Sequence, residues 1–146
     1  MKSVELKCNQ TYHDNGQVWS ESYCVNGKWH NDNGPAYREY YENGQVAVES
    51  YFLNGTLHND NGPAYRSWHE NGQIAYESYY LNDKRHNDNG PAYQVYYEDG
   101  QINYEQYYLN GTRLSKEEFE KRNVPSCANR QVVIDGVSYI LTPIKE

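Results

Sequence analysis

Four glutamates, Glu21, Glu49, Glu77 and Glu105, recur at a constant step of 28 residues, and three histidines, His30, His58 and His86, each precede an aspartate by two positions. Carboxylates in a series suggest general acid–base chemistry, and His with Asp suggests a metal site. The regularity itself argues against both. If each 28-residue unit supplies two strands, equivalent atoms of successive units lie about 10 Å apart. Metal ligands must converge to about 2–2.6 Å from one ion. A retaining carboxylate pair needs about 5–5.5 Å, and only an inverting pair, at up to about 9.5 Å, comes near that step. Identical units also give their carboxylates like environments, whereas a division into acid and base needs unlike ones. No Ser-His-Asp or Cys-His grouping and no strand-to-helix phosphate loop accompanies them. The expectation is no catalytic residue, no metal and no cofactor. His-Asn-Asp-Asn-Gly reads instead as turn chemistry, with Asx side chains bonding nearby backbone amides.

The elements behind these residues repeat with them. Asn15-Gly16-Gln17, Asn43-Gly44-Gln45, Asn71-Gly72-Gln73 and Asp99-Gly100-Gln101 are 28 apart, and His-Asn-Asp-Asn-Gly-Pro-Ala-Tyr occurs at His30–Tyr37, His58–Tyr65 and His86–Tyr93. Aromatic and β-branched residues on both sides of an Asn-Gly predict a hairpin, with strands Tyr37–Glu42 and Gln45–Leu53. Residues 54–63 are rich in turn formers and predict a connection with at most a short extra strand. A two-residue Asn43-Gly44 turn places Arg38 opposite Glu49 and Tyr40 opposite Ala47. The other copies oppose Arg66 to Glu77, Trp68 to Ala75, Gln10 to Glu21 and Gln94 to Glu105. After the repeats, Ser115-Lys116-Glu117-Glu118 fits a capping box and predicts a short helix to about Arg122. Gln131–Ile134, Asp135-Gly136 and Val137–Leu141 predict a last hairpin. The expected architecture is all-β: an open, curved antiparallel β-hairpin repeat array of about eight long strands. It forms a single domain over 1–146, with four repeats over 9–114 and a C-terminal helix-plus-hairpin cap over 115–146 that protects the last edge.

The mean hydropathy of -1.08 would suggest disorder but for 17 Tyr, 3 Trp and 2 Phe, each ring able to bury roughly 150–250 Å². A net charge of -7 disfavours nucleic acid and anionic membranes, both of which need clustered Lys and Arg. Cys8, Cys24 and Cys127, odd in number and without CxxC spacing, predict free thiols in a reducing cytosol. The N-terminus lacks the apolar run of a signal peptide, and no stretch of about 18 apolar residues occurs, so a soluble cytoplasmic protein is expected.

The residues Tyr40–Val46, followed by Tyr51-Phe52-Leu53-Asn54-Gly55, resemble the MORN-repeat variant of bacterial and viral proteins, some of them assigned as antitoxins, and the HNDNGPA element resembles phage and giant-virus versions. The resemblance implies a hairpin-repeat fold and a scaffolding, dimerising or binding role. Strand alternation puts Ala36, Arg38, Glu49, Tyr51 and Leu53 on one face. It puts Tyr37, Tyr41, Val46, Val48 and Phe52, with their equivalents, on the other. The second face varies between repeats: position 20/48/76/104 runs Ser, Val, Tyr, Tyr, and 39/67/95 runs Glu, Ser, Val. Variation within a lattice is where selection for a partner acts, so Tyr41, Phe52, Tyr65, Tyr76, Tyr80, Tyr93, Tyr97, Tyr104 and Tyr108 are the candidate contact residues. The expected partner is a bacterial or host protein, with a second copy of the chain also admissible. The alternative is a nucleotide or sugar held between rings.

Overall fold

The computed structural model describes residues 6–123, 131–134 and 137–140. The chain groups into two compact units, Met1–Ser115 and Lys116–Glu146. The first is an open antiparallel sheet that closes into no barrel. Its long strands are β1 Leu6–Tyr12, β2 Val18–Val25, β4 Tyr37–Tyr40, β5 Val46–Ser50, β8 Tyr65–Trp68, β9 Ile74–Ser78, β12 Tyr93–Tyr96 and β13 Ile102–Leu109, side by side in that order. Eight long strands are as expected from the repeat. Four short return strands, β3 Lys28–Trp29, β7 Thr56–Leu57, β11 Lys84–Arg85 and β14 Thr112–Leu114, follow β2, β5, β9 and β13 along the chain. They pair with β2, with β6 Phe52–Leu53, with β10 Tyr80–Leu81 and with β13. The supposed connection is therefore a second hairpin per repeat, not a loop with an optional strand.

Two kinds of turn explain the two hairpins. In the short ones, Asn54 and Gly55 have φ of 54° and 84°, the left-handed pair of a two-residue type I′ turn, and Asn26-Gly27, Asn82-Asp83 and Asn110-Gly111 behave alike. In the long ones Tyr41 N donates to Gln45 O and Gly44 N to Tyr41 O. That is a three-residue loop whose Gly44, at φ 83°, closes a bulge. Asn43 Oδ1 accepts from Gln45 N at 2.9 Å, fixing the turn from its side chain. The two-residue turn expected here is therefore wrong, yet Arg38 still faces Glu49. The register shifts once more between Glu39 and Tyr40, where Ala47 is the extra residue, and the two departures cancel beyond it. Nearer the turn they do not: Tyr40 faces Val46 rather than Ala47, and Trp68 faces Ile74 rather than Ala75. Val46, Ile74 and Ile102, assigned by alternation to the variable face, thus lie opposite Tyr40, Trp68 and Tyr96.

Adjacent units lock together by backbone and Asx bonds. Ala36, Ala64 and Ala92 are wholly buried, and their carbonyls accept from the amides of Tyr23, Tyr51 and Tyr79. Asn31 Nδ2 reaches Pro35 O at 3.0 Å while its Oδ1 takes Asn33 N at 2.9 Å, the Asx chemistry read from the sequence, and Asn59 and Asn87 repeat it. The repeated histidines tie neighbours: the turn amides of Asn54, Asn82 and Asn110 donate to Nδ1 of His30, His58 and His86 at 3.0, 3.3 and 3.1 Å. Acceptance at Nδ1 leaves the proton on Nε2, which stands 3.0, 3.2 and 3.0 Å from Asp32, Asp60 and Asp88.

Cys8 and Cys24 are joined as a disulfide between β1 and β2, with Cα atoms 5.6 Å apart. This overturns the free-thiol expectation for those two residues, and with it the argument for a reducing compartment. An odd count without motif spacing missed it because the pair is created by cross-strand proximity, Cys8 sitting at a bulge between Lys7 and Asn9. Cys127 lies outside the described residues. In the second unit α1 runs over Lys116–Asn123. The hairpin β15 Gln131–Ile134 and β16 Val137–Ile140 pairs Ile134 with Val137. The expected turn Asp135-Gly136 and the strand's end at Leu141 lie outside the described residues.

Candidate functional site

One face of the sheet is a charge ladder. Cross-strand pairing strings together Gln10, Glu21, Arg38, Glu49, Arg66, Glu77, Gln94 and Glu105, so the pairs expected within hairpins continue between them. Arg38 Nε donates to Glu49 at 2.8 Å and Arg66 Nε to Glu77 at 2.7 Å. The Tyr40 hydroxyl donates to Glu21 at 2.7 Å and that of Tyr96 to Glu77 at 3.2 Å. Burial tends to raise the Glu21 carboxyl, but the bonds from Lys7 and Tyr40 and the Arg38 charge hold it below the usual range. Each series glutamate has an Arg or Gln, not a second carboxylate, as its cross-strand neighbour. What the geometry of this face supplies is ion pairing within the lattice.

The opposite face carries the rings. One row alternates Ser22, Tyr37, Ser50, Tyr65, Ser78 and Tyr93 across the sheet, and the serines are buried beside the tyrosines. A small residue next to each ring leaves room for rings of the adjacent row, and there Tyr76 and Tyr104 enter. The centroids Tyr65–Tyr76, Tyr76–Tyr93 and Tyr93–Tyr104 are 5.2, 5.0 and 6.0 Å apart at interplanar angles of 83°, 89° and 79°. This edge-to-face geometry is the preferred one for aromatic pairs. Burial raises the hydroxyl pKa of Tyr76, with nearby Ser78 and Arg85 acting the other way. Tyr104, at the end of the row, is 45% exposed.

The structure brings most of the expected contact residues together. Tyr80, Tyr93 and Tyr108 surround the Arg85 guanidinium at 5.8, 4.6 and 5.4 Å from their centroids, and Phe52 meets Trp29 edge-on at 4.9 Å. Two sit elsewhere. The Tyr41 hydroxyl donates to Trp68 O at 2.6 Å, bracing one long hairpin against the next as His13 does at Tyr40 O. Tyr97, the last of that series, is 53% exposed at its turn. Sequence reasoning missed Trp29, Leu57 and Arg85. They occupy one repeat position in the short hairpin, where Leu57 faces Phe52 and Arg85 faces Tyr80. The signal was available: the Asn54-Gly55 dipeptide is itself a hairpin turn, and the position varies as Trp, Leu, Arg.

The profile of the MORN repeat variant matches residues 8–26, 36–57, 64–82 and 92–110, together more than half of the chain. The chain belongs to the MORN repeat variant family. Each matched segment begins in or just before the first strand of a long hairpin or close to its start, and the array of four is the one set out by the 28-residue step. MORN repeats are a repeat module often involved in binding, and the ring face is where this array differs from unit to unit. No curated protein and no solved structure matches the chain. Among the described residues no helix is long and apolar enough to cross a membrane, and no group of three or more His, Cys, Asp or Glu is placed to hold a metal ion.

Proposed function

We propose that this MORN-repeat chain is a non-enzymatic binding module that seats a protein partner on its ring face. We further propose that it acts by occlusion, as an inhibitor of phage or antitoxin type that neutralises a bacterial or host protein. The observation that carries the proposal is the edge-to-face row Tyr65, Tyr76, Tyr93 and Tyr104 on the face whose residues change along the array, while the other face is spent on ion pairs. Tyrosine gives large contact area with only two side-chain torsions to freeze, and such rings concentrate binding energy in a few positions.

The test begins with affinity capture from a bacterial lysate and identification of the bound protein. Affinity and melting temperature are then measured for four variants. Tyr104→Ala and Tyr76→Ala should each weaken binding by about thirty-fold, the equivalent of about 2 kcal/mol for a ring hot spot. Tyr104→Ala, at the exposed end of the row, should leave the melting temperature near the parent's. Tyr79→Ala and Tyr107→Ala should lower the melting temperature and leave affinity of the folded protein intact. Normal binding by the Tyr76 and Tyr104 variants refutes the assignment. So does a partner that proves to be a small nucleotide or sugar released on heating.

A further inference from the structure

The short-hairpin position 29/57/85 builds the same slot three times, between the ring eight residues on and the ring twenty-three residues on. In the first slot Trp29 fills the space itself, stacked on Tyr37 at 5.2 Å and 16° and edge-on to Phe52 at 4.9 Å. In the third, Arg85 fills it, its guanidinium 4.6 Å above Tyr93 and 5.4 Å from Tyr108. In the middle slot the occupant is Leu57, shorter than an indole or an arginine side chain. What remains is an open pocket of about 410 Å³ lined by Leu57, Tyr65, Ser67, Tyr76 and Tyr80. The lattice thus shows, in two homologous places, that this slot accepts a planar group, and in the third it leaves the planar group out.

The charges around the middle slot choose between the two kinds of occupant. Arg85 already donates to the Tyr80 hydroxyl at 3.0 Å, and its field reaches Tyr76, so a second guanidinium would enter beside a like charge. Glu39 also acts on the slot, its charge reaching Tyr65, but it lies two strands away and is already engaged by the Tyr37 hydroxyl, whereas Arg85 touches the slot wall at Tyr80. An uncharged ring meets no such opposition, and it can stack on one tyrosine while presenting its edge to another, as Trp29 does. We propose that the pocket over Leu57 is the anchor site for a tryptophan side chain of the protein partner. The proposal rests on the reading of the ring face as a protein-binding surface and names the chemistry that the face selects.

The probe is N-acetyltryptophanamide, titrated into the full chain while the aromatic ring resonances are followed by NMR, with the arginine and lysine analogues, adenosine and glucose as comparators. Saturable shifts should appear at Tyr65, Tyr76 and Tyr80 and not at Tyr12. The tryptophan probe should bind about ten-fold tighter than the arginine probe, the gain of one well-oriented ring pair. Leu57→Trp, which rebuilds the first slot in the second repeat, should keep or raise the melting temperature and abolish these shifts. Tyr80→Ala, which removes a wall, should weaken them. The proposal is overturned if the arginine probe or adenosine binds better, if no ring in the slot responds, or if Leu57→Trp folds and still binds. Failure here leaves the ring face standing if the Tyr104→Ala variant loses its partner. If Leu57→Trp captures that partner unchanged, the anchor is wrong while the surface is right.

Discussion

Replacing Arg66 by alanine should destabilise the fold by about 2 kcal/mol, more than an ordinary surface ion pair is worth. The reason is Glu77, which is only 7% exposed and receives Arg66 Nε at 2.7 Å and the second guanidinium nitrogen at 2.6 Å. Its other cross-strand neighbour is Gln94, not a cation, and its remaining donor is the Tyr96 hydroxyl. Without Arg66 a buried carboxylate keeps only that neutral partner. The full penalty for a wholly buried charge, about 3–5 kcal/mol, is reduced because the Arg66 side chain is 32% exposed and water enters where it stood. Glu77→Ala should cost less, about 1 kcal/mol, since Arg66 retains water and Glu49 across the sheet. The double alanine variant should come to about 2 kcal/mol, leaving a coupling of about 1 kcal/mol. At roughly 4 °C per kcal/mol for a chain of this size, Arg66→Ala should melt about 8 °C below the parent. Urea and thermal unfolding of the four proteins in the cycle measure all of this. Strict additivity, or an Arg66→Ala penalty no larger than that of Glu77→Ala, refutes the ladder as a buried network.

Tyr37, Tyr40 and Tyr96, their hydroxyls pushed up to about 12 from 10.0 by burial and by Glu39, Glu21 and Glu77, stay protonated longer folded than unfolded. Their contribution is complete below pH 10 and lost as pH rises through about 12. Phenolate absorbance should show a late-titrating class that Tyr40→Phe and Tyr96→Phe diminish. Glu21, held low, contributes above its unfolded pKa and loses that contribution as pH falls through the lower folded value, so Glu21→Gln should flatten the acid limb of a stability profile. Under non-reducing mass spectrometry Cys8 and Cys24 should resist alkylation. Cys24→Ser should destabilise by about 3 kcal/mol, the loop-closure value for their separation of 16 residues, and a melting temperature indifferent to reductant would count against the bond. Truncation before Ser115 tests the cap expected of the C-terminal segment: a shortened chain that stays monomeric and equally stable excludes that role.

Much of the fold is legible in the residues because Asn-Gly, Pro-Ala and the Tyr series recur in phase. The Arg–Glu register was found correctly through a wrong turn. Gly44 closes a three-residue loop, and Ala47 bulges to restore the count, a compensation that no local signal at Ala47 announces. The two-residue strands of the short hairpins carry no periodicity, so only their Asn-Gly and Asn-Asp turns announce them. Trp29, Leu57 and Arg85, the side chains that decide what the ring face can accept, are legible only through those turns. The cross-strand disulfide was illegible for a related reason: proximity of Cys8 to Cys24 follows from a bulge and not from spacing along the chain.

A ladder of identical rungs poses a problem of degeneracy, because a ligand that fits one rung fits the next and can occupy several or slide among them. The row Thr11, Ser20, Glu39, Val48, Ser67, Tyr76, Val95, Tyr104, assembled by cross-strand pairing, removes that symmetry. It runs from hydroxyls through a carboxylate and a valine to rings, so translating a partner by one repeat toward the first unit exchanges Tyr76 for Val48 and Val95 for Ser67, while Tyr104 and Tyr76 exchange like for like. The array therefore has a head and a tail as seen by whatever binds it. Its expected stoichiometry is one partner per chain at a single address, even though the scaffold beneath offers four equivalent ones.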